Sequence, residues 1–510
     1  MEPAATIASL PGEVLAQIFK SGTILSSGCL PCLIKYSAVS QRWRSAALDP
    51  DLWSTINVPL DHAMRNVVAL VRICLERSKS CLFDLTLAVP QSADMDVVTS
   101  VMLLVVQHVH RLRRLAITGL THPNTAAFPN REEIFALLQN AQRAPRLAVL
   151  ELAFFDWNPH ISMRIPPDRL LLQAPSLISL RLHGVPSPVP FVGLRTLDIQ
   201  GLQTSYSDFH DMVVASPLLT KLILPKLRLL VDLQSKPLAP IEIPSLKTLA
   251  LSFCKPAPSN QFMPCHDLLS LMSIPNLEYL ELAGSDIPDL VKCFQSPSSL
   301  TKLRTLRLVN VSMVGRNVLV GRQGEVDNCD YLRALATVEQ LELIHSHAEY
   351  LVPTGNTPKQ KPKSRHRTRS ISREARSGVS YFPRPMPRQQ VDPFLTMPDA
   401  EGASSSVPIY PNLRTVSLDT LIAAEALWLY QLVLERPEIQ LVRLSQVAER
   451  HLGSSLGMAD GVLQTMPNTI TMNRVGAPHF HPVDVGKLLR ERVAVKEIED
   501  GCIQWQGPVI

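Results

Sequence analysis

At 510 residues and 46% hydrophobic, the chain is long enough for several domains and apolar enough to bury a core through most of its length. Its formal charge of +5 is concentrated in one place: residues 356–376 hold eight Lys or Arg against one acid, which leaves about −2 for everything else. That balance excludes a general basic footprint for nucleic acid. It also directs attention to particular stretches.

The first of these is residues 7–56. Pro11 and Glu13 suit a first helical turn, where a missing amide hydrogen costs nothing and a carboxylate meets the positive end of the helix dipole. Val14, Leu15, Ile18 and Phe19 recur at helical spacing, and Leu33, Ile34, Tyr36 and Val39 form a second apolar set. Asp49-Pro50-Asp51 ends the last helix, and Leu52-Trp53 follows as a large apolar plug. Three short helices bury little surface alone, so the module is expected to complete its core against a partner or the following domain. Cys29-Leu-Pro-Cys32 has no second pair at metal-site spacing, and its cysteines read as apolar filling.

This stretch resembles an F-box, on Leu10-Pro11, Glu13-Val14-Leu15, Ile18-Phe19, Val39-Ser40, Trp43-Arg44, Ala47-Leu48, Asp49-Pro50 and Leu52-Trp53. The resemblance implies docking on a Skp-type adaptor and, through it, on a cullin–RING ubiquitin ligase. By the same resemblance, Leu10, Pro11, Leu15, Ile18, Phe19, Val39 and Trp43 would form or support the adaptor-binding surface. The Gly-, Ser- and Cys-rich connection 21–32 departs from the family and bears on the docking helix.

From Leu82 onward the pattern LxxLxL recurs, with Ile or Val tolerated. Copies start at Leu82, Leu112, Leu147, Leu177, Leu194, Leu219, Leu246, Leu277, Leu303, Val338, Leu413 and Ile439, mostly 25 to 35 residues apart, with one interval of 17 and one of 75. The last two apolar positions of each copy alternate with a mostly polar one, as a half-buried strand requires. Several copies follow a helical segment and a proline, as before Pro145, Pro217, Pro275 and Pro297, and proline is expected to stop the helix and launch the strand. The fold class is therefore α/β: three N-terminal helices, then parallel strands stacked side by side with helices outside.

The array resembles leucine-rich repeats and, with the F-box wording, the large F-box families of mushroom-forming fungi. It departs from the repeat consensus eight residues beyond the first leucine, where the family places Asn or Cys and this chain has Leu120, Phe155, Val185, Leu202, Leu227, Cys254, Ser285 and Val311. An irregular solenoid held by apolar contact is the expectation. Five segments follow: 1–60 the F-box, 61–351 the solenoid, 352–407 a basic, Pro-rich insertion too polar to bury a core, 408–450 the last repeats, and 451–510 without a role.

The residues alternating with the buried leucines are expected to line the concave side, where such proteins bind. Arg181, Asp198, Tyr279, Glu281, Arg307 and Glu342 are the candidates for a protein target, in a mixed-charge stripe that also takes in Glu151, Ile223 and Ala250. Ser370 and Ser372 follow arginines in the basic insertion and suit basophilic kinases; the insertion also reads as a nuclear import signal.

No catalytic constellation is present: GxSxG, HExxH, a phosphate-cradling glycine loop and paired CxxC are all missing. His345-Ser-His347, Cys265-His266 and the histidines of 479–481 read as ordinary residues rather than metal ligands. Cofactors are not expected. The most apolar stretch, 97–109, is interrupted by Thr99, Ser100, Gln107 and His108 and is shorter than a bilayer span. Nine cysteines without regular spacing and no basic start before an apolar run indicate a cytoplasmic or nuclear chain.

Overall fold

In a computed structural model, fourteen strands among the described residues form one sheet in chain order, and every neighbouring pair is parallel. The structure describes residues 10–25, 30–60, 66–90, 93–120, 143–154, 174–183, 192–201, 203–225, 227–230, 238–252, 262–263, 265–284, 300–311, 335–346, 410–421, 423–449 and 485–497. Ile134, Leu138, Leu290, Cys293 and Phe294 are described singly, each in a helical turn.

Three helices lead: α1 (Gly12–Leu25), α2 (Leu30–Val39) and α3 (Gln41–Ala47). Ser40 separates the last two; its extended backbone turns the chain and its hydroxyl accepts from the Trp43 amide at 3.1 Å, capping α3. A 3-10 turn, Pro50–Trp53, then delivers the chain to the first strand.

The sheet runs β1 (Thr55–Pro59), β2 (Phe83–Pro90), β3 (Leu112–Leu120), β4 (Val149–Phe154), β5 (Ser179–His183), β6 (Thr196–Gln200) and β7 (Lys221–Leu224). It continues with β8 (Thr248–Ser252), β9 (Tyr279–Ala283), β10 (Thr305–Val309), β11 (Gln340–Ile344), β12 (Thr415–Leu418), β13 (Leu441–Leu444) and β14 (Ala494–Glu497). The second apolar position of each copy stands opposite its counterpart in the next, from Leu85–Leu115 to Val416–Val442. These columns are buried, and each such leucine contributes about 1.5–3 kcal/mol by leaving water.

Helices α4 (Val67–Arg77), α5 (Met95–Gln107), α6 (Tyr206–Val214), α7 (Cys265–Leu271), α8 (Ala423–Glu435) and α9 (Val485–Arg492) connect or precede strands. Their buried residues belong to the same apolar core as the strand leucines, a core continuous from Leu15 of α1 to Val493 beside β14. The N-terminal helices are thus seated on the sheet. Trp53 is buried against it, its indole donates to the Ala47 carbonyl at 2.7 Å, and the Arg77 guanidinium of α4 lies 4.3 Å above its ring.

The prolines also shape the turns that lead into the strands, Pro297 lying outside the described residues. In seven copies the proline is the second residue of a tight turn closed by the amide of the first apolar residue, as in Leu147 to Ala144 (3.1 Å), Leu246 to Ile243 (3.2 Å) and Leu413 to Tyr410 (3.1 Å). Its fixed φ is preset for that position. The residue after it reaches back one copy: Ser176 and Ser245 hydroxyls donate to the Pro145 and Pro217 carbonyls at 2.7 and 2.8 Å, and the Asn276 amide donates to Pro244 at 2.7 Å. Side-chain rungs therefore join the copies at the start of the strands. At the position where an asparagine ladder was expected to be missing, Ser346 supplies one rung, accepting from the Val311 amide at 3.0 Å and donating to the Leu308 carbonyl at 3.2 Å.

Two frames differ from the repeat pattern. Leu82 is 41% exposed, and Phe83 takes the buried place, because the register shifts between Phe83 and Asp84. Within the segment left without a role, α9 packs beside α8 and β14 pairs with β13, Val442 facing Val495. The pattern misses β14 because Arg492 and Glu497 occupy places it reserves for apolar residues. Residues 352–407 lie outside the described residues; on either side, β11 and β12 pair in register, and the Asn412 amide donates to the Ala336 carbonyl at 2.7 Å. Each doubling of such a connection costs only about 0.6 kcal/mol, so its length is no obstacle to pairing.

Candidate functional site

Two surfaces answer to the candidate residues. On the first, α1 to α3 divide their apolar side chains between core and solvent. Leu15 and Phe19 are buried, with Phe19 stacked on Tyr36 at 4.7 Å and tilted against Trp43 at 5.1 Å. Leu10 and Trp43 are half-buried against the same core. Pro11, Ile18 and Val39 are exposed, Ile18 by 50% and Val39 by 61%, and the structure adds Val14, Ile34 and Leu48 to the exposed apolar set.

The seven candidates therefore separate by role. Leu15, Phe19 and Trp43 hold the helices together from beneath, and Pro11, Ile18 and Val39 stand outside. Leu15 and Phe19, four apart, share the stripe that faces α2 and α3, while Val14 and Ile18, also four apart, turn away. Val14, Ile18, Ile34, Val39 and Leu48 therefore stay in water although the helices that carry them have a core available.

On the second surface, the residues between the leucines form one row across the sheet: Glu151, Arg181, Asp198, Ile223, Ala250, Glu281, Arg307, Glu342 and Ser417 stand side by side, strand by strand. Their placement on the face opposite the leucines matches the strand period. Their exposure differs from expectation. Arg181 is exposed, Tyr279 and Glu342 are half-buried, and Asp198, Glu281 and Arg307 are buried. Neighbouring strands lie about 4.8 Å apart, so long side chains in one row cover one another.

The stripe is also paired within itself. Asp198 meets Arg181 at 3.0 Å and His183 at 2.8 Å, and Arg114 meets Glu151 at 2.9 Å. Arg307 lies 3.9 Å from Glu281 and 3.7 Å from Glu342. The Tyr279 hydroxyl donates to Glu281 at 2.8 Å, and the Gln340 amide donates to Glu342 at 2.6 Å. Burial, reinforced by the Glu281 carboxyl, holds the Tyr279 phenol protonated well above its usual range. Burial also pushes the Glu281 acid up, against Arg307 and the Tyr279 hydrogen bond, with Glu342 adding to the rise. Sequence reasoning had no signal for this closure, which depends on which residues three separate copies place in adjacent strands.

The remaining candidates carry less. His345 has its ring 2.9 Å from Asp419 and mostly in solvent, and its left-handed backbone (φ 47°) is held by its amide N–H donating a hydrogen bond to the same carboxylate at 2.7 Å. Among the described residues, no group of three or more His, Cys, Asp or Glu is placed to hold a metal ion, and no helix is long and apolar enough to cross a membrane. Cys32 is half-buried on α2, and the side chains of Cys265 and His266 fall outside the description, as do Cys29, His347, Ser370, Ser372 and residues 479–481.

An F-box-like family model matches residues 7–59, about a tenth of the chain, which takes in α1 to α3 and β1. The chain has no match among the curated proteins. It carries an F-box-like domain, and domains of that kind typically bind Skp-type adaptors.

Proposed function

We propose that this chain is the substrate-recognition subunit of a Skp–cullin–F-box ubiquitin ligase. The observation that carries the reading is the exposed apolar set on the F-box-like helices, Val14, Ile18, Ile34 and Val39, above a core closed by Leu15 and Phe19. An adaptor would cover that set. The rest of the chain would be an irregular leucine-rich-repeat solenoid whose concave face holds a protein target, with Arg181, Tyr279 and Glu342 the reachable members of the stripe. The chain would contribute position and no chemistry, since holding target and ubiquitin donor together raises their effective concentration. It would need no cofactor and would act in the cytoplasm or nucleus.

The continuous core supports a receptor of this design. Because Trp53 and Arg77 bind the helical module to the first strands, the adaptor and a target on the sheet would be held at a fixed separation. The test is co-purification of the full chain with a Skp-type adaptor, beside an Ile18→Asp/Val39→Asp variant that keeps the wild-type unfolding midpoint. Adaptor bound by wild type alone supports the docking surface; adaptor bound by neither, or by both equally, removes it.

A second reading draws on the internal pairing of the stripe, which leaves few charges free for a target. The chain would then be a scaffold that docks on the adaptor without delivering a substrate. Longer half-lives of co-purifying proteins in cells expressing the Ile18→Asp/Val39→Asp variant would favour the receptor; unchanged half-lives would favour the scaffold.

A further inference from the structure

The middle of the stripe sets two carboxylates against one guanidinium in direct reach. Strands β9, β10 and β11 place Glu281, Arg307 and Glu342 side by side, one guanidinium between two acids. Both ion pairs are long, and the two acids are not equally provided for. Glu342 keeps partial contact with water and receives a hydrogen bond from Gln340. Glu281 is 3% exposed; its Oε2 accepts from Tyr279, while Oε1 is shut off from solvent with no hydrogen-bond partner among the described residues.

An ionised carboxylate offers about four acceptor sites, and leaving most of them empty away from water is costly. A neutral carboxylic acid in the same place loses far less. The groups acting on Glu281 are Tyr279 on its own strand, Arg307 on β10, Glu342 beyond it and Lys221 on β7. Ala250 of β8, its neighbour on the other side, carries no charge. The two cations and the Tyr279 hydrogen bond favour ionisation; burial and the Glu342 carboxylate oppose it.

We propose that Glu281 is carried in the folded chain as a neutral acid, so that the triplet is one ion pair, Arg307 with Glu342, beside an uncharged hydrogen-bonding group. The proton comes from solvent on folding and returns to it on unfolding. The direction of its shift, upward with burial as the leading cause, agrees. The sign follows from linkage. A group whose folded pKa lies above its unfolded value gives stability present below the unfolded value, about 4.3 for Glu, and lost as pH climbs toward the folded one. This part of the array is then weakest at alkaline pH.

The experiment is thermal unfolding of the full chain, wild type and Glu281→Gln, from pH 5 to pH 8.5. Glutamine matches the neutral acid in shape and cannot ionise. The variant's advantage should be smallest at pH 5 and grow with pH, by a shift on the order of 2 °C. A difference that is constant, or that shrinks as pH rises, overturns the proposal. The infrared difference spectrum at pH 7, wild type minus Glu281→Gln, should contain a protonated-carboxyl band. Absence of that band, or its loss in Glu342→Gln instead, contradicts the assignment to Glu281.

Discussion

The helical module and the strand array differ in how closely they group exposed apolar residues and in how much charge they bury: Val14, Ile18, Ile34, Val39 and Leu48 stand within one short module, whereas the array scatters residues such as Leu103, Val192 and Leu218 over its length. The module buries Leu15, Phe19 and Trp53 but leaves Val14, Ile18, Ile34 and Val39 in water. The array buries every leucine of its two central columns and then also buries ionisable side chains, with Asp198, Glu281 and Arg307 covered on its other face. Exposed apolar surface costs a chain nothing in folding if a partner removes it from water later, whereas buried charge costs at once unless it is paired. The module thus keeps apolar surface in water, and the array spends its polar face largely on internal pairs.

The sharpest break in that comparison would come where the two regions join. Trp53→Ala removes the indole, its bond to Ala47 and its contact with Arg77, and should destabilise the chain by about 3–5 kcal/mol in urea unfolding. A loss under about 1 kcal/mol would mean that the module and the sheet are not one body. Leu249→Ala, in the middle of a column, should cost about 2–5 kcal/mol by the same measurement.

Smaller effects separate the rungs from the columns. Ser346→Ala leaves the buried Val311 amide without its acceptor and should cost about 1–3 kcal/mol. Asn276→Ala removes an exposed rung to Pro244 and should cost about 1 kcal/mol or less. Smallest of all, Ile18→Ala should change stability by no more than about 0.5 kcal/mol while weakening adaptor capture, because half of that side chain is already in water. An Ile18→Ala cost equal to that of Leu249→Ala would show the exposed set to be core.

The array's columns were legible because a strand buries alternate residues, and a leucine at each such place leaves the same mark in every copy. The frame failed where a bulge moved the buried place from Leu82 to Phe83, and again at β14, whose pairing survives with Arg492 and Glu497 in apolar positions. The turns were half legible. The prolines are conspicuous, yet their role follows from the amide of the leucine two residues on, as Leu246 closing on Ile243 shows. Closure of the stripe was not legible at all. Glu281, Arg307 and Glu342 belong to three copies, and only register makes them neighbours. In the module, spacing placed Leu15, Ile18 and Phe19 on one helix, but which of them turns outward depends on where α2 and α3 lie.

The most direct measurement is hydrogen–deuterium exchange of the full chain with and without a Skp-type adaptor. Added protection is expected at residues 12–47 alone, where the exposed apolar set lies, with the strands from Thr55 to Glu497 unchanged. Protection spread over the strands instead, or none in the helices, would show that the uncovered apolar surface is not where this chain meets its partner.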